Sequence, residues 1–146
     1  MESQGDATHR HVCANVAMRL VSGPDTDARV AAALDYTTRD PYALRATFTR
    51  ACHTPVVWVF ARELLLIGVA RHAGTGDVQV YPSGDDVILE LNSPEGSARL
   101  AASSADLRRF GAQMLAIVPP GDESAFIDVD AELAALDPAV FARGDA

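Results

Sequence analysis

The sequence contains few cysteines and no long apolar run, and these two shortages exclude several classes of protein. It has 146 residues and only two cysteines, Cys13 and Cys52. Small secreted scaffolds that are held together by disulfides use more cysteines than this. The amino terminus is polar and does not read as a signal peptide, and no apolar run approaches the roughly 20 residues of a membrane span. We therefore expect a cytoplasmic protein without direct membrane insertion.

Basic residues are also scarce. The chain has 12 Lys and Arg against 20 Asp and Glu, which gives a formal net charge of −8. Non-specific nucleic-acid binding depends on Lys and Arg side chains that displace counterions from phosphates, and no stretch of this sequence clusters them. The charge balance therefore argues against nucleic acid as a partner. The apolar fraction of 49% is typical of a folded globular domain.

Motifs that identify a chemistry are absent as well. The sequence has no G-x-S-x-G elbow, no P-loop and no H-E-x-x-H. Gly74-Thr75-Gly76 resembles part of a nucleotide-binding loop, but it follows a predicted helix and opens a predicted strand, which is the reverse of the order that phosphate binding needs. Asp128 and Asp130 are interpreted as helix-capping residues in preference to a cation site. We predict a protein that is not an enzyme and that needs no cofactor.

Four residues have side chains suitable for zinc: His11, Cys13, Cys52 and His53. Their spacing is two local pairs, H-x-C and C-H, which does not match the C-x₂₋₄-C and H-x₃₋₅-H spacing of structural zinc sites. A Cys52–His53 nucleophile pair is disfavoured because adjacent side chains on a strand point to opposite faces. We expect both cysteines to stay reduced and to bind no metal.

Alternation of apolar and polar residues predicts about seven strands. Val16, Met18 and Leu20 form one apolar face, which is the pattern of a sheet with one face in water. The segment from Pro55 to Phe60 is continuously apolar, so it is predicted to be a strand covered on both faces. The predicted strands cover residues 16–20, 30–37, 44–49, 55–60, 78–81, 87–91 and 98–102.

Helices are predicted at three places. The first covers residues 61–68 and ends at a glycine, and the second is capped by Ser103 or Ser104 and has one apolar stripe at residues 107, 110, 114 and 117. The third begins near Asp128 or Asp130. The pattern predicts one α+β domain at residues 13–137, with tails at residues 1–12 and 138–146.

Three aromatic residues are candidates for stacking on single-stranded nucleic acid. Trp58 lies inside an apolar run and Phe48 lies on an alternating inner face, so both are interpreted as core residues. Tyr42 follows Asp40-Pro41, a rigid polar turn that presents it outward.

Five segments of the chain, in order and spacing, resemble the SsgA-like proteins, which are sporulation and division regulators of morphologically complex actinomycetes. The most specific are DPYAxxATF and WVFARELL. The five segments are LDYTTRDPYALRATF (34–48), VVWVFARELL (56–65), GTGDVQVYP (74–82), LNSPEGSARL (91–100) and VPPGDE (118–123).

This resemblance implies a whirly-like fold, a twisted antiparallel β-sheet with about three packed helices, which assembles as a homotrimer. Leu66 and Ile67, which extend the apolar surface of the first helix, agree with an oligomer. The resemblance also implies a non-enzymatic accessory at the division septum, which helps to position the tubulin-like GTPase FtsZ and influences peptidoglycan remodelling. Its implied partners are FtsZ or a related SsgA-like protein. The alternative is a whirly-type module that binds single-stranded nucleic acid.

The sequence offers one candidate protein-binding surface, formed by Arg39, Asp40, Pro41, Tyr42 and Arg62. Tyr and Arg are enriched among the anchors of protein interfaces, and the proline fixes the turn that carries the tyrosine. Because Arg62 falls on no predicted apolar face, we expect it at the surface, either as part of the binding surface around Tyr42 or in a surface ion pair.

Overall fold

The computed structural model describes residues 9–126, and it contains one seven-stranded antiparallel sheet. The order of strands across the sheet is β4-β3-β2-β1-β7-β6-β5. The strands are β1 (His11–Leu20), β2 (Arg29–Thr37), β3 (Ala43–Thr49), β4 (Val56–Ala61), β5 (Val78–Ser83), β6 (Asp86–Ser93) and β7 (Gly96–Ser103). The prediction of about seven strands is confirmed, and β1 begins at His11, two residues before the predicted start of the domain.

The sheet consists of two meanders that meet at its centre. Strands β1 to β4 form the first and β5 to β7 form the second, and β1 pairs with β7 over three residue pairs, Met18–Ala102, Arg19–Ala101 and Leu20–Leu100. We call this pairing the central seam. The strands β4 and β5 are therefore the two edges of the sheet.

Two helices, α1 (Arg62–Gly68) and α2 (Ser104–Ile117), contact the sheet, and a short 3₁₀ turn (Glu123–Phe126) follows. The Ser103 hydroxyl accepts the Asp106 amide at 3.4 Å, so the predicted cap of α2 is confirmed. The apolar stripe of α2 is buried as predicted, at Leu107, Phe110, Met114 and Ile117. The third predicted helix, near Asp128 or Asp130, lies outside the described residues, and the whirly-type likeness stays a prediction.

The core lies between the helices and one face of the sheet. Alternate residues of β1 point into it, and Val16 and Met18 are both buried. Between them Ala17 lies on the other face, in water. The alternation in the sequence therefore identifies the inner face correctly, since the helices cover only one side.

The prediction for β4 is wrong in one respect. This strand is an edge of the sheet, and Val57 and Val59 on its outer face are about half exposed. Trp58 is partly buried and Phe60 is buried on the inner face. An apolar run thus marks a strand that the described residues cover on one side only. Within residues 9–126, no helix is long and apolar enough to cross a membrane.

Candidate protein-binding surface

The turn between β2 and β3 carries four of the five residues predicted to bind protein. The Asp40 amide donates to the Thr37 carbonyl at 3.1 Å, and the Tyr36 hydroxyl donates to the Pro41 carbonyl at 2.7 Å. Thr38 is buried, and its hydroxyl accepts the Arg10 amide at 2.9 Å. Side chains below the turn and the segment before β1 therefore hold its backbone in place.

On this turn the side chains of Arg39, Asp40 and Tyr42 are exposed, whereas Pro41 is buried. Tyr42 is 50% exposed, as the sequence predicts for a tyrosine presented outward. Its carbonyl accepts the Arg62 amide at 2.8 Å, which connects the turn to the start of α1. A large aromatic side chain on a fixed backbone loses little conformational entropy when a partner covers it.

Arg62 does not lie at the surface, contrary to the expectation from the sequence. Its side chain is 1% exposed, and its guanidinium donates to the Glu123 carboxylate and to the Val118 carbonyl, both at 2.9 Å. The guanidinium also lies over the Tyr36 ring, 5.5 Å from its centroid. We call Arg62, Tyr36 and Glu123 the Arg62 cluster. A side chain held in this way supports the turn from inside and does not touch a partner.

The electrostatics of the Arg62 cluster follow from its burial. The hydrogen bond from Arg62 holds the pKa of Glu123 below its ordinary value, because the bond favours the charged carboxylate. Burial raises the pKa of the Tyr36 hydroxyl. Arg62 Nε has no hydrogen-bond partner among the described residues, so the cluster retains one unsatisfied polar atom. The Arg62 cluster is a structural support that ties β2, α1 and the segment after α2 together.

The structure does not bring together the four residues with zinc-binding side chains. Cys13 lies on β1 opposite Asp35, whereas Cys52 lies in the loop between β3 and β4 and has a φ of 65°. His11 contacts the Asp35 carboxylate at 3.2 Å, and His53 bonds to a carbonyl of its own loop. Within residues 9–126, no group of three or more His, Cys, Asp and Glu side chains is arranged to hold a metal.

The glycines at 74 and 76 lie in the loop between α1 and β5, so the interpretation as a turn is confirmed. Gly74 has a φ of 94°, which suits glycine. Nearby, His72 stacks on Tyr81 with ring centroids 5.2 Å apart, and the Tyr81 hydroxyl donates to Glu90 at 3.0 Å. Asp128 and Asp130 lie outside the described residues.

Sequence reasoning missed a second exposed feature beside the turn. Tyr42, Val56, Val57 and Val59 are the large hydrophobic side chains that are exposed in the described part of the chain, and all four lie on β4 or next to it. We call these four residues the β4 edge patch. The three β-branched valines indicate a strand, but they do not show whether that strand lies at an edge of the sheet.

Comparison with known proteins gives one family. The family model described as "Streptomyces sporulation and cell division protein, SsgA" matches residues 30–123. The sporulation-specific cell division protein SsgB of Thermobifida fusca is 42% identical over 127 residues, which cover 84% of this chain and 92% of that protein. SsgB of Streptomyces coelicolor is 46% identical over 120 residues, which cover 80% of this chain and 88% of that protein.

Solved structures agree with the sequence comparisons. The crystal structure of an SsgA-like sporulation-specific cell division protein from Thermobifida fusca superimposes with a TM-score of 0.78 at 40% identity, covering 92% of this chain and 98% of that one. A second structure, from work on SsgB mutations that correlate with longitudinal cell division during sporulation of Streptomyces coelicolor, gives a TM-score of 0.77 at 41% identity. It covers 82% of this chain and 98% of that one.

Proposed function

Because this chain belongs to the SsgA family of sporulation and cell division proteins, we propose that it is a non-enzymatic accessory of sporulation-specific septation that acts by binding other division proteins. The observation that carries this proposal is the turn at Arg39 to Tyr42. It presents an exposed aromatic and two charged side chains on a backbone that is hydrogen-bonded from below. Such a surface suits recognition of a protein, since aromatic anchors dominate binding energy at interfaces.

The partners we propose are the tubulin-like division GTPase FtsZ or a related SsgA-like protein. Binding at the septum would help to position the FtsZ ring and influence peptidoglycan remodelling there. The resemblance to the family supports these assignments and also supports a homotrimer. The partner surface consists of Arg39, Asp40 and Tyr42, while Pro41 and Arg62 hold it from within.

The test of this surface is Tyr42→Ala in a strain that depends on this copy, with Tyr42→Phe as the matched control. Truncation of a central aromatic anchor costs about 2 kcal/mol or more of binding, so we expect Tyr42→Ala to lose septal localisation of a fluorescent fusion. Tyr42→Phe keeps the ring and should localise normally. The melting temperature of both purified variants should stay close to that of the parent chain.

Two results would contradict the proposed surface. If Tyr42→Ala is folded, localises to the septum and supports septation, the binding surface lies elsewhere. If Tyr42→Ala unfolds the protein while Tyr42→Phe does not, the ring is needed for packing and not for a partner.

A further inference from the structure

The two edges of the sheet differ in how they are protected against pairing. At β5, Ala73 exchanges two backbone hydrogen bonds with Val80, at 2.8 and 2.9 Å, and Pro82 removes one donor from the strand. At β4, no described residue pairs with the free side, and the strand contains neither a proline nor a charge. Exposed edges normally carry charge, proline or a covering segment, because an open edge is a template for another strand.

The register identifies the groups that β4 offers at its free side. The Arg62 amide donates to the Tyr42 carbonyl, so these two residues form a hydrogen-bonded pair next to the end of β4. Hydrogen-bonded and non-hydrogen-bonded pairs alternate in an antiparallel ladder. Val57, Val59 and Ala61 therefore direct their N–H and C=O groups away from β3. Val57 and Val59 each present one donor and one acceptor along one line, and Ala61 adds a donor only, because its carbonyl accepts the first hydrogen bond of α1.

The side chains at this edge are apolar. The three valines of the β4 edge patch are each 51–53% exposed, and Tyr42, which directly precedes β3, is hydrogen-bonded to Arg62 just after the end of β4. Val57 and Val59 share the outer face, on which they lie opposite Thr47 and Arg45. A strand added to β4 would cover these side chains at the same time as it satisfies the backbone groups.

The charge around β4 differs from that of the rest of the chain. Residues 41–62 contain three arginines and no Asp or Glu, in a protein that has 20 acidic residues. Arg50 pairs with Asp25 and the buried Arg62 with Glu123, whereas the exposed Arg45 lies opposite Asp35 of β2 and has no ion pair among the described residues. An acidic partner therefore complements this edge. A second copy of the chain would bring an uncharged β4, which adds no acidic group near Arg45.

We propose that the β4 edge takes up an extended segment of a partner protein by strand addition, and that this segment has β-branched residues at its centre and acidic residues on its flanks. The proposal rests on the proposed function, since it assigns a site and a chemistry to a protein partner. It adds a surface distinct from the exposed side chains of the turn, and Tyr42 lies where the two surfaces meet.

The probe is a synthetic eight-residue peptide with four central valine and threonine residues and two aspartates at each end. Trp58 is the only tryptophan of the chain and lies on β4, partly buried, so its fluorescence reports directly on this strand. We expect a saturable change in Trp58 emission when the peptide is added to the full-length protein. A peptide with lysine in place of aspartate should bind at least tenfold more weakly.

Two variants and one control test the geometry. Val59→Pro removes an outward N–H, while the inward amides of Trp58 and Phe60 still pair with β3, so peptide binding should weaken at least tenfold. Val59→Glu adds a repulsive charge at the same place and should also weaken binding, which keeps the test available if the proline variant does not fold. Ala31→Glu places the same charge on the exposed face of β2, and its binding should stay within twofold of the parent chain.

Three results would overturn the proposal. One is a parent chain that does not bind the aspartate peptide, and another is binding that survives both Val59 substitutions. The third is found by sedimentation: the parent chain and Ala31→Glu form an oligomer, whereas the two Val59 variants are monomers. A second copy of the chain would then occupy the β4 edge. A chain that binds the peptide but is dispensable for septation would instead overturn the proposed function, so the two proposals fail separately.

Discussion

At the scale of single residues, Arg62 is the one arginine that is buried among the described residues. Its side chain is buried, and its charge is balanced by Glu123 and by the carbonyl of Val118. Removing one partner of a buried ion pair costs more than the pair contributes, since the remaining charge is left without compensation in a low-dielectric interior. The hydroxyl of Tyr36, which belongs to the same cluster, donates a hydrogen bond to the Pro41 carbonyl in the turn that carries Tyr42.

We expect Arg62→Ala to lower the free energy of unfolding by about 3–5 kcal/mol, the usual cost of breaking a buried pair. Urea denaturation at pH 7 measures this difference. Arg71→Ala is the control, because Arg71 is exposed and has no ion pair among the described residues, and it should change the stability by less than about 0.5 kcal/mol. Equal stability of the two variants would show that the Arg62 cluster contributes little.

The lowered pKa of Glu123 predicts a pH dependence of stability. A carboxyl group whose pKa is lower in the folded state stabilises the fold above its unfolded value and loses this contribution as the pH falls through the folded value. Glu123→Gln should therefore be less stable than the parent chain at neutral pH. The difference should shrink as the pH falls below 4.5, the ordinary value for a glutamate.

Urea denaturation from pH 7 to pH 3 measures this difference. Glu63→Gln, at an exposed position in the first turn of α1, should follow the parent chain at every pH. If the difference in unfolding free energy between Glu123→Gln and the parent chain stays constant down to pH 3, ionisation of Glu123 does not contribute to stability.

At the scale of elements, α1 lies so close to β5 that only glycine fits at the contact. A Cβ atom at Gly68 would overlap the side chain of Val80. Gly68 is the last residue of α1, and α1 packs against β5. The distance between this helix and the second meander is thus set by the absence of one side chain.

Gly68→Ala should lower the free energy of unfolding by about 1–3 kcal/mol, because overpacking forces the helix and strand apart. Gly76→Ala is the matched control: its added Cβ would meet open space, and its effect should stay within about 0.5 kcal/mol. Thermal melts of the two variants make the comparison. If both melt like the parent chain, α1 moves freely away from β5.

The elements also show which features were predictable from the sequence. The inner faces of β1 and β2 follow from alternation, and the stripe of α2 follows from its 3.6-residue period, because both patterns reflect burial on one side. The edge position of β4 was not predictable, since it depends on which strands pair across the sheet. The burial of Arg62 was missed for the same reason, because its partner Glu123 lies 61 residues away.

At the scale of the whole molecule, net charge bears on the two functions that the sequence left open, binding of division proteins and binding of single-stranded nucleic acid. The formal net charge is −8, and a whirly-type nucleic-acid module needs cations that replace counterions on phosphates. Arg19 is paired with Asp86 and Arg50 with Asp25, while Arg29 and Arg45 have no ion pair among the described residues. Binding of protein partners fits this balance better than binding of nucleic acid.

We therefore expect no binding of a labelled single-stranded oligothymidine at 50 mM salt, about the low-salt condition under which electrostatic binding is strong. Fluorescence anisotropy with the full-length protein at micromolar concentration is the measurement. A rise in anisotropy that disappears as salt is added would favour the nucleic-acid module.

The central seam has a consequence for the order in which the fold forms during synthesis. Strands β1 to β4 contact their sequence neighbours, so the first meander pairs locally as soon as it leaves the ribosome. Met18 meets Ala102 only after the intervening residues have been made, which takes roughly 4–17 s at about 5–20 residues per second. During that interval β1 is itself an open edge. A nascent chain therefore exposes two unpaired edge strands, β1 and β4, to other nascent chains on the same mRNA.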